Sequence, residues 1–128
     1  KTIAPTKLNH DVVVPRGRIA DLFDLLQELR DSFNLTIACF GHAGDGNIHL
    51  NITAGTRDHL DQIEQGIEAV LKLVLAMGGT ISGEHGIGFV KKHLLPLELS
   101  PESIRLQQAI KRTFDPNFIL NPGKVFCW

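Results

Sequence analysis

The chain lacks any apolar run approaching the ~20 residues that cross a bilayer as a helix, and no secretory signal peptide is visible in it. That excludes a helical membrane protein and points to the cytoplasm, with peripheral attachment to a membrane left open. Charge of one sign is lacking too. Thirteen Lys and Arg face fourteen Asp and Glu, which leaves no strong field for nucleic acid. The two cysteines, Cys39 in an apolar stretch and Cys127 beside the C-terminus, have no Cys-x-x-Cys spacing. They read as a buried thiol in a reducing compartment, not as a disulfide framework. Internal repeats and low-complexity segments are absent as well. What is present is 128 residues, 43% apolar and 21% charged. That composition fits one globular domain over 1–128, able to bury roughly two-thirds of its unfolded surface.

Periodicity orders the elements. His10-Asp11-Val12-Val13-Val14 is β-branched and stops at Pro15, as a strand does. Ile19, Leu22, Phe23, Leu26, Leu29 and Phe33 recur at helical spacing up to Asn34. Residues 35–41 and 47–53 read as two strands. Leu60, Ile63, Ile67, Val70, Leu71 and Val74 form a second amphipathic helix stopped by Gly78-Gly79, and Thr80-Ile81-Ser82 enters a short strand. Strand, helix, strand, strand, helix, strand is the ferredoxin-like split βαβ plan: an α+β fold whose antiparallel sheet carries both helices on one face. A last helix starts at Ser100-Pro101-Glu102, with Ser as cap, and runs to about Phe114. Asp115-Pro116-Asn117 breaks it, and an extended tail follows.

The segment Gly41-His42-Ala43-Gly44-Asp45-Gly46-Asn47-Ile48-His49 carries the strongest chemical signal. With Asp45-Gly46 as a two-residue turn, His42 stands directly opposite His49. Such a pair has Cβ atoms roughly 4.5–5.5 Å apart, close enough to share one metal ion. Alternation puts Ile37, Cys39, Ile48, Leu50 and Ile52 on the core face and His42, His49, Asn51 and Thr53 on the other. A single strand histidine is ordinarily just a hydrogen-bonding residue; the pairing is what points to a metal.

A third donor comes from Gly78 to Gly88, where five glycines in eleven residues surround Glu84-His85. The sheet plan brings this loop toward the histidine hairpin. Either Glu84 or His85 completes a three-ligand site with open positions, the pattern of a catalytic metal rather than a structural one; spacing does not choose between them. His59, His93 and Lys91-Lys92 read as solvated, and His10 is ambiguous.

These residues resemble the C-terminal part of the FAD-linked oxidases related to glycolate oxidase, D-lactate dehydrogenase and D-2-hydroxyglutarate dehydrogenase. The resemblance rests on Asn9 to Pro15, Gly41 to His49, Gly79 to Gly88, and Phe114-Asp115-Pro116-Asn117 with Leu120-Asn121-Pro122-Gly123-Lys124. It implies a two-electron oxidation of a small 2-hydroxy acid, with FAD bound mainly by an N-terminal domain that this sequence does not contain. By position it implies His42, His49 and Glu84 as ligands of a divalent metal, zinc or manganese. It makes His85 the substrate-binding proton acceptor and Asn51 a second substrate contact. Where the 2-hydroxyglutarate branch has a lysine, this chain has Asn9, with Lys7 two residues earlier. The expectation is a C-terminal substrate- and metal-binding part of a longer enzyme, inactive alone, whose partner is its own flavin domain. Its uncovered sheet face leaves homodimerisation open. The competing reading is a free-standing ferredoxin-like module that holds a metal or small ligand without catalysis.

Overall fold

The computed structural model describes residues 6–54 and 60–128, which form two compact units divided between His85 and Gly86. His59 lies outside the described residues. No helix among those described is long and apolar enough to cross a membrane.

In the first unit, strand β1 (Thr6–Val13) starts earlier than its valine run predicts. Past Pro15, a single 3-10 turn over Arg16–Arg18 leads into helix α1 (Ile19–Phe33). This helix buries Leu22, Leu26 and Leu29 and ends at Asn34, which takes a left-handed conformation with φ 50° and donates its amide to the Arg30 carbonyl. Strands β2 (Thr36–His42) and β3 (Asn47–Ala54) form the hairpin. Helix α2 (Leu60–Ala76) buries Ile63, Ile67, Val70, Leu71 and Val74 along one stripe.

The sheet is antiparallel in the order β1-β3-β2. Its apolar face carries Ile48, Leu50 and Ile52, exposed by 4, 1 and 2%. Burying each such side chain stabilises the fold by about 1.5–3 kcal/mol, and it is against this face that α1 and α2 pack. The α+β split βαβ arrangement therefore stands. The predicted last strand shrinks to one bridge, in which Val13 donates to the Thr80 carbonyl (3.1 Å) and Thr80 to that of Val13 (2.9 Å). The bridge lies on the outer edge of β1, where the plan puts its final strand. Pairing stops there because the amides of Gly83, Glu84 and His85 turn instead to the side chain of Asp11.

The second unit holds a 3-10 turn (Lys92–Leu94), the short helix α3 (Leu95–Glu98) and helix α4 (Pro101–Phe114). Ser100 caps α4 by accepting from the Ser103 amide at 3.2 Å, as its sequence predicts. Lys91 departs from expectation: it is 4% exposed, not solvated. The backbone winds into successive turns here, Lys91 N–H to Ile87 carbonyl and Leu94 N–H to Lys91 carbonyl, so adjacent lysines face different surroundings. His93 is exposed, as expected.

Candidate metal centre

The hairpin turns through four residues, not two. His42 pairs with Asn47 and Phe40 with His49, so the expected direct pairing of His42 with His49 is wrong by two positions. The cause lies in the loop. A two-residue turn of the expected type needs left-handed backbone at both Asp45 and Gly46, whereas only Gly46 adopts it, with φ 71°. Asp45 instead donates its amide to the His42 carbonyl (3.0 Å), within a wider loop. Gly46 also accepts from the Val14 amide at 3.0 Å, and a Cβ there would stand 2.0 Å from the Val14 carbonyl oxygen. Tying Gly46 to the end of β1 fixes this register. A shift of two keeps every side chain on its predicted face. His42 and His49 therefore still share the polar face, now diagonally, with ring centroids 5.9 Å apart and nearly perpendicular.

The loop after Thr80 brings the third donor. Glu84 Oε1 lies 3.0 Å from His49 Nε2, and His42, His49 and Glu84 each offer one ligand atom, all within 4.8 Å of one another. Donors about 2.1 Å from one ion stand roughly 3–4 Å apart, so a movement of about an ångström gathers the three around a cation. Two imidazoles and one carboxylate are a donor set that a divalent cation can take. His49 is 6% exposed while His42 and Glu84 are open, so the trio has a buried floor and an accessible rim.

His85 stands beside the trio. Its ring stacks on His49 with centroids 5.1 Å apart, its Nε2 is 3.9 Å from Glu84 Oε1, and its side chain is 45% exposed. Of the two residues the sequence left as third donor, the structure groups Glu84 with the histidines and leaves His85 at the rim. Asn51 lies on the same face, two residues beyond His49, with its Oδ1 buried and making no hydrogen bond among the described residues. Asn9 sits directly across from Asn51, and the register sets Lys7 opposite Thr53. His10, on the other face, is buried opposite Leu50.

Two residues escaped the sequence reading. Phe40, exposed and directly opposite His49, packs its ring 5.0 Å from that imidazole. Asp11, fully buried, faces His49 across the β1–β3 ladder. Its Oδ2 accepts from the amides of Gly83 (2.7 Å), Glu84 (2.6 Å) and His85 (3.0 Å), while Ser82 Oγ lies 3.2 Å from Oδ1. The signal for Asp11 was legible: a lone carboxylate inside a valine strand, on the parity of His49, must find buried donors. Gly83 allows the close approach, since a Cβ there would stand 2.5 Å from Asn47 Oδ1. Cys39 is half-buried, and burial pushes its thiol above the ordinary cysteine range. Cys127 is exposed rather than buried, and both thiols are free.

A ferredoxin-like sheet with His42, His49 and Glu84 gathered on one face defines an α+β domain that carries a candidate metal centre. Residues 2–125 match the family described as FAD linked oxidases, C-terminal domain, and the chain belongs to it. It is 39% identical over 126 residues to glycolate oxidase subunit GlcD of Bacillus subtilis (97% of this chain, 27% of that protein). It is 41% identical over 117 residues to a D-lactate dehydrogenase of Archaeoglobus fulgidus, covering 90% of this chain and 26% of that protein. The D-2-hydroxyglutarate dehydrogenase of Stutzerimonas stutzeri is 43% identical over 127 residues, 94% of this chain and 27% of that protein. The chain thus spans about a quarter of the length of these curated relatives.

Proposed function

We propose that this chain is the substrate- and metal-binding part of an FAD-dependent dehydrogenase that oxidises a 2-hydroxy acid of the glycolate or D-lactate type to its 2-oxo acid. The observation that carries the reading is the convergence of His42, His49 and Glu84 with His85 beside them. These three residues would hold zinc or manganese. When bound, the ion would supply a Lewis acid that lowers the pKa of a chelated substrate hydroxyl, and FAD, held mainly by a partner domain, would supply the two-electron acceptor. His85 takes the hydroxyl proton on its imidazole as the carbon becomes a carbonyl. Asn51, on the same sheet face as His49, would be a second substrate contact. Asn9, neutral where the resemblance places a lysine in the 2-hydroxyglutarate branch, favours a substrate with one carboxylate.

The holoenzyme provides the test. His42→Ala is expected to lose bound metal and flavin reduction together. His85→Ala is expected to keep metal and FAD but slow flavin reduction by roughly 10²–10⁴-fold, the usual share of a positioned base. Stopped-flow flavin absorbance and metal analysis read both outcomes. Release of metal by His85→Ala with retention in Glu84→Ala reverses the two roles, and unchanged flavin reduction in both His42→Ala and His85→Ala rejects the catalytic reading in favour of a binding module.

A further inference from the structure

We propose that Asp11 is the positioning residue of this site: it sets Glu84 at the metal trio and aims the imidazole of His85. The inference rests on the dehydrogenase reading above. Three consecutive backbone amides, Gly83 to His85, converge on one oxygen of a carboxylate with no solvent exposure. Successive amides pointing at one anion form a concave nest, which holds a charged oxygen strongly. Here the anion belongs to the sheet and the nest to the loop, so the carboxylate dictates where the loop backbone lies. Glu84 and His85 both project from that pinned segment. The ladder places Asp11 directly opposite His49, so one strand pair sets the distance from the trio to the loop.

The other oxygen has a separate task. Asp11 Oδ1 stands 3.5 Å from His85 Nδ1, with Ser82 Oγ 3.2 Å away. A carboxylate only accepts, so it favours the tautomer with the proton on Nδ1. Nε2, on the opposite edge of the ring, is left as the acceptor that a substrate hydroxyl needs. A purely structural anchor would hold the loop but leave the ring's two nitrogens indifferent.

Asp11→Asn keeps the shape but replaces one oxygen by an NH₂ group. In the zinc-loaded holoenzyme it is expected to lower kcat about 10–100-fold with KM within about threefold. Nitrogen-15 spectra of histidine-labelled protein are expected to show His85 losing its Nδ1–H preference. Asp11→Ala, which removes the anion altogether, is expected to weaken zinc affinity about 10–100-fold as well. The proposal is overturned if Asp11→Asn leaves both kcat and the His85 nitrogen signals unchanged, or if folded Asp11→Ala binds zinc as the wild type does. The underlying reading fails differently, through wild-type protein that binds neither zinc nor manganese. The His85 nitrogen signals then still decide whether Asp11 orients the ring.

Discussion

Among the described residues each compact unit buries one aspartate, and the two carboxylates are used in opposite ways. Asp115, 3% exposed, is satisfied within its own turn: Lys111 Nζ donates to it, and the amides of Ile119 and Leu120 follow at 3.0 Å each. All its partners lie within five residues. Asp11 draws its donors from residues 82–85, more than seventy positions along the chain. The local clamp brings its own cation and ends a helix. The distant one faces an imidazole and holds a loop that carries reactive side chains. Their settings differ as well. The first unit rests on an aliphatic core, whereas the second leaves Phe114, Ile119 and Leu106 exposed by 79, 73 and 64%. A buried charge with a cation on the preceding turn is thus a stopper. A buried charge whose donors come from across the fold marks where two distant segments have to meet.

This contrast is open to attack, beginning with the largest effect. Leu50→Ala, at the centre of the first unit's core, is expected to cost about 2–5 kcal/mol in urea unfolding. A loss below 1 kcal/mol would mean that the sheet does not rest on its aliphatic face.

Acid should act on the second unit through Asp115. Hydrogen bonding from Lys111, helped by the Leu120 and Ile119 amides, holds its carboxyl below the ordinary value of 3.8. A lowered folded-state pKa stabilises fully above the ordinary value, and the contribution fades as pH falls through the folded one. Stability of residues 86–128 should therefore drop below about pH 4, and Asp115→Asn should flatten that drop without changing kcat at neutral pH. A loss of kcat like that expected for Asp11→Asn would erase the distinction between the two carboxylates.

The smallest effect belongs to Ser100→Ala, which removes the cap of α4 and is expected to cost about 1 kcal/mol. Circular dichroism melting of the variant reads it, and no change in melting would show that solvent replaces the cap.

Much of this was legible in the sequence because local chemistry decided it. Ser100-Pro101 starts a helix, Asn34 ends one, and the alternation around Ile48 and Leu50 sorts the two sheet faces. These depend on neighbours a few residues away. The hairpin register did not, because the Asp45-Gly46 turn is overruled by a bond from Val14, some thirty residues earlier. Nor did the shortened last strand, beyond which the amides of residues 83–85 turn to Asp11. At the site, strand parity keeps His42 and His49 on one face although they are not directly paired. Spacing alone could not choose between Glu84 and His85, since that choice depends on how a carboxylate pins the loop. Lys91 was misread because a run of like charges says nothing about the turns that its backbone follows.

The single Val13–Thr80 bridge has a consequence for how the molecule breathes. Strand β3 is bonded on both sides, so its amides exchange with solvent only when the sheet comes apart. Thr80 hangs from β1 by two backbone hydrogen bonds, each worth roughly 0.5–1.5 kcal/mol net. The segment bearing Glu84 and His85 is joined to the sheet by that bridge and by the three amides that converge on Asp11, so its exchange reports how firmly one side chain holds it, while His49 stays fixed in the central strand. Of the three proposed ligands, His49 sits on the doubly bonded strand, His42 at the end of an edge strand, and Glu84 on a loop whose opening depends on one carboxylate.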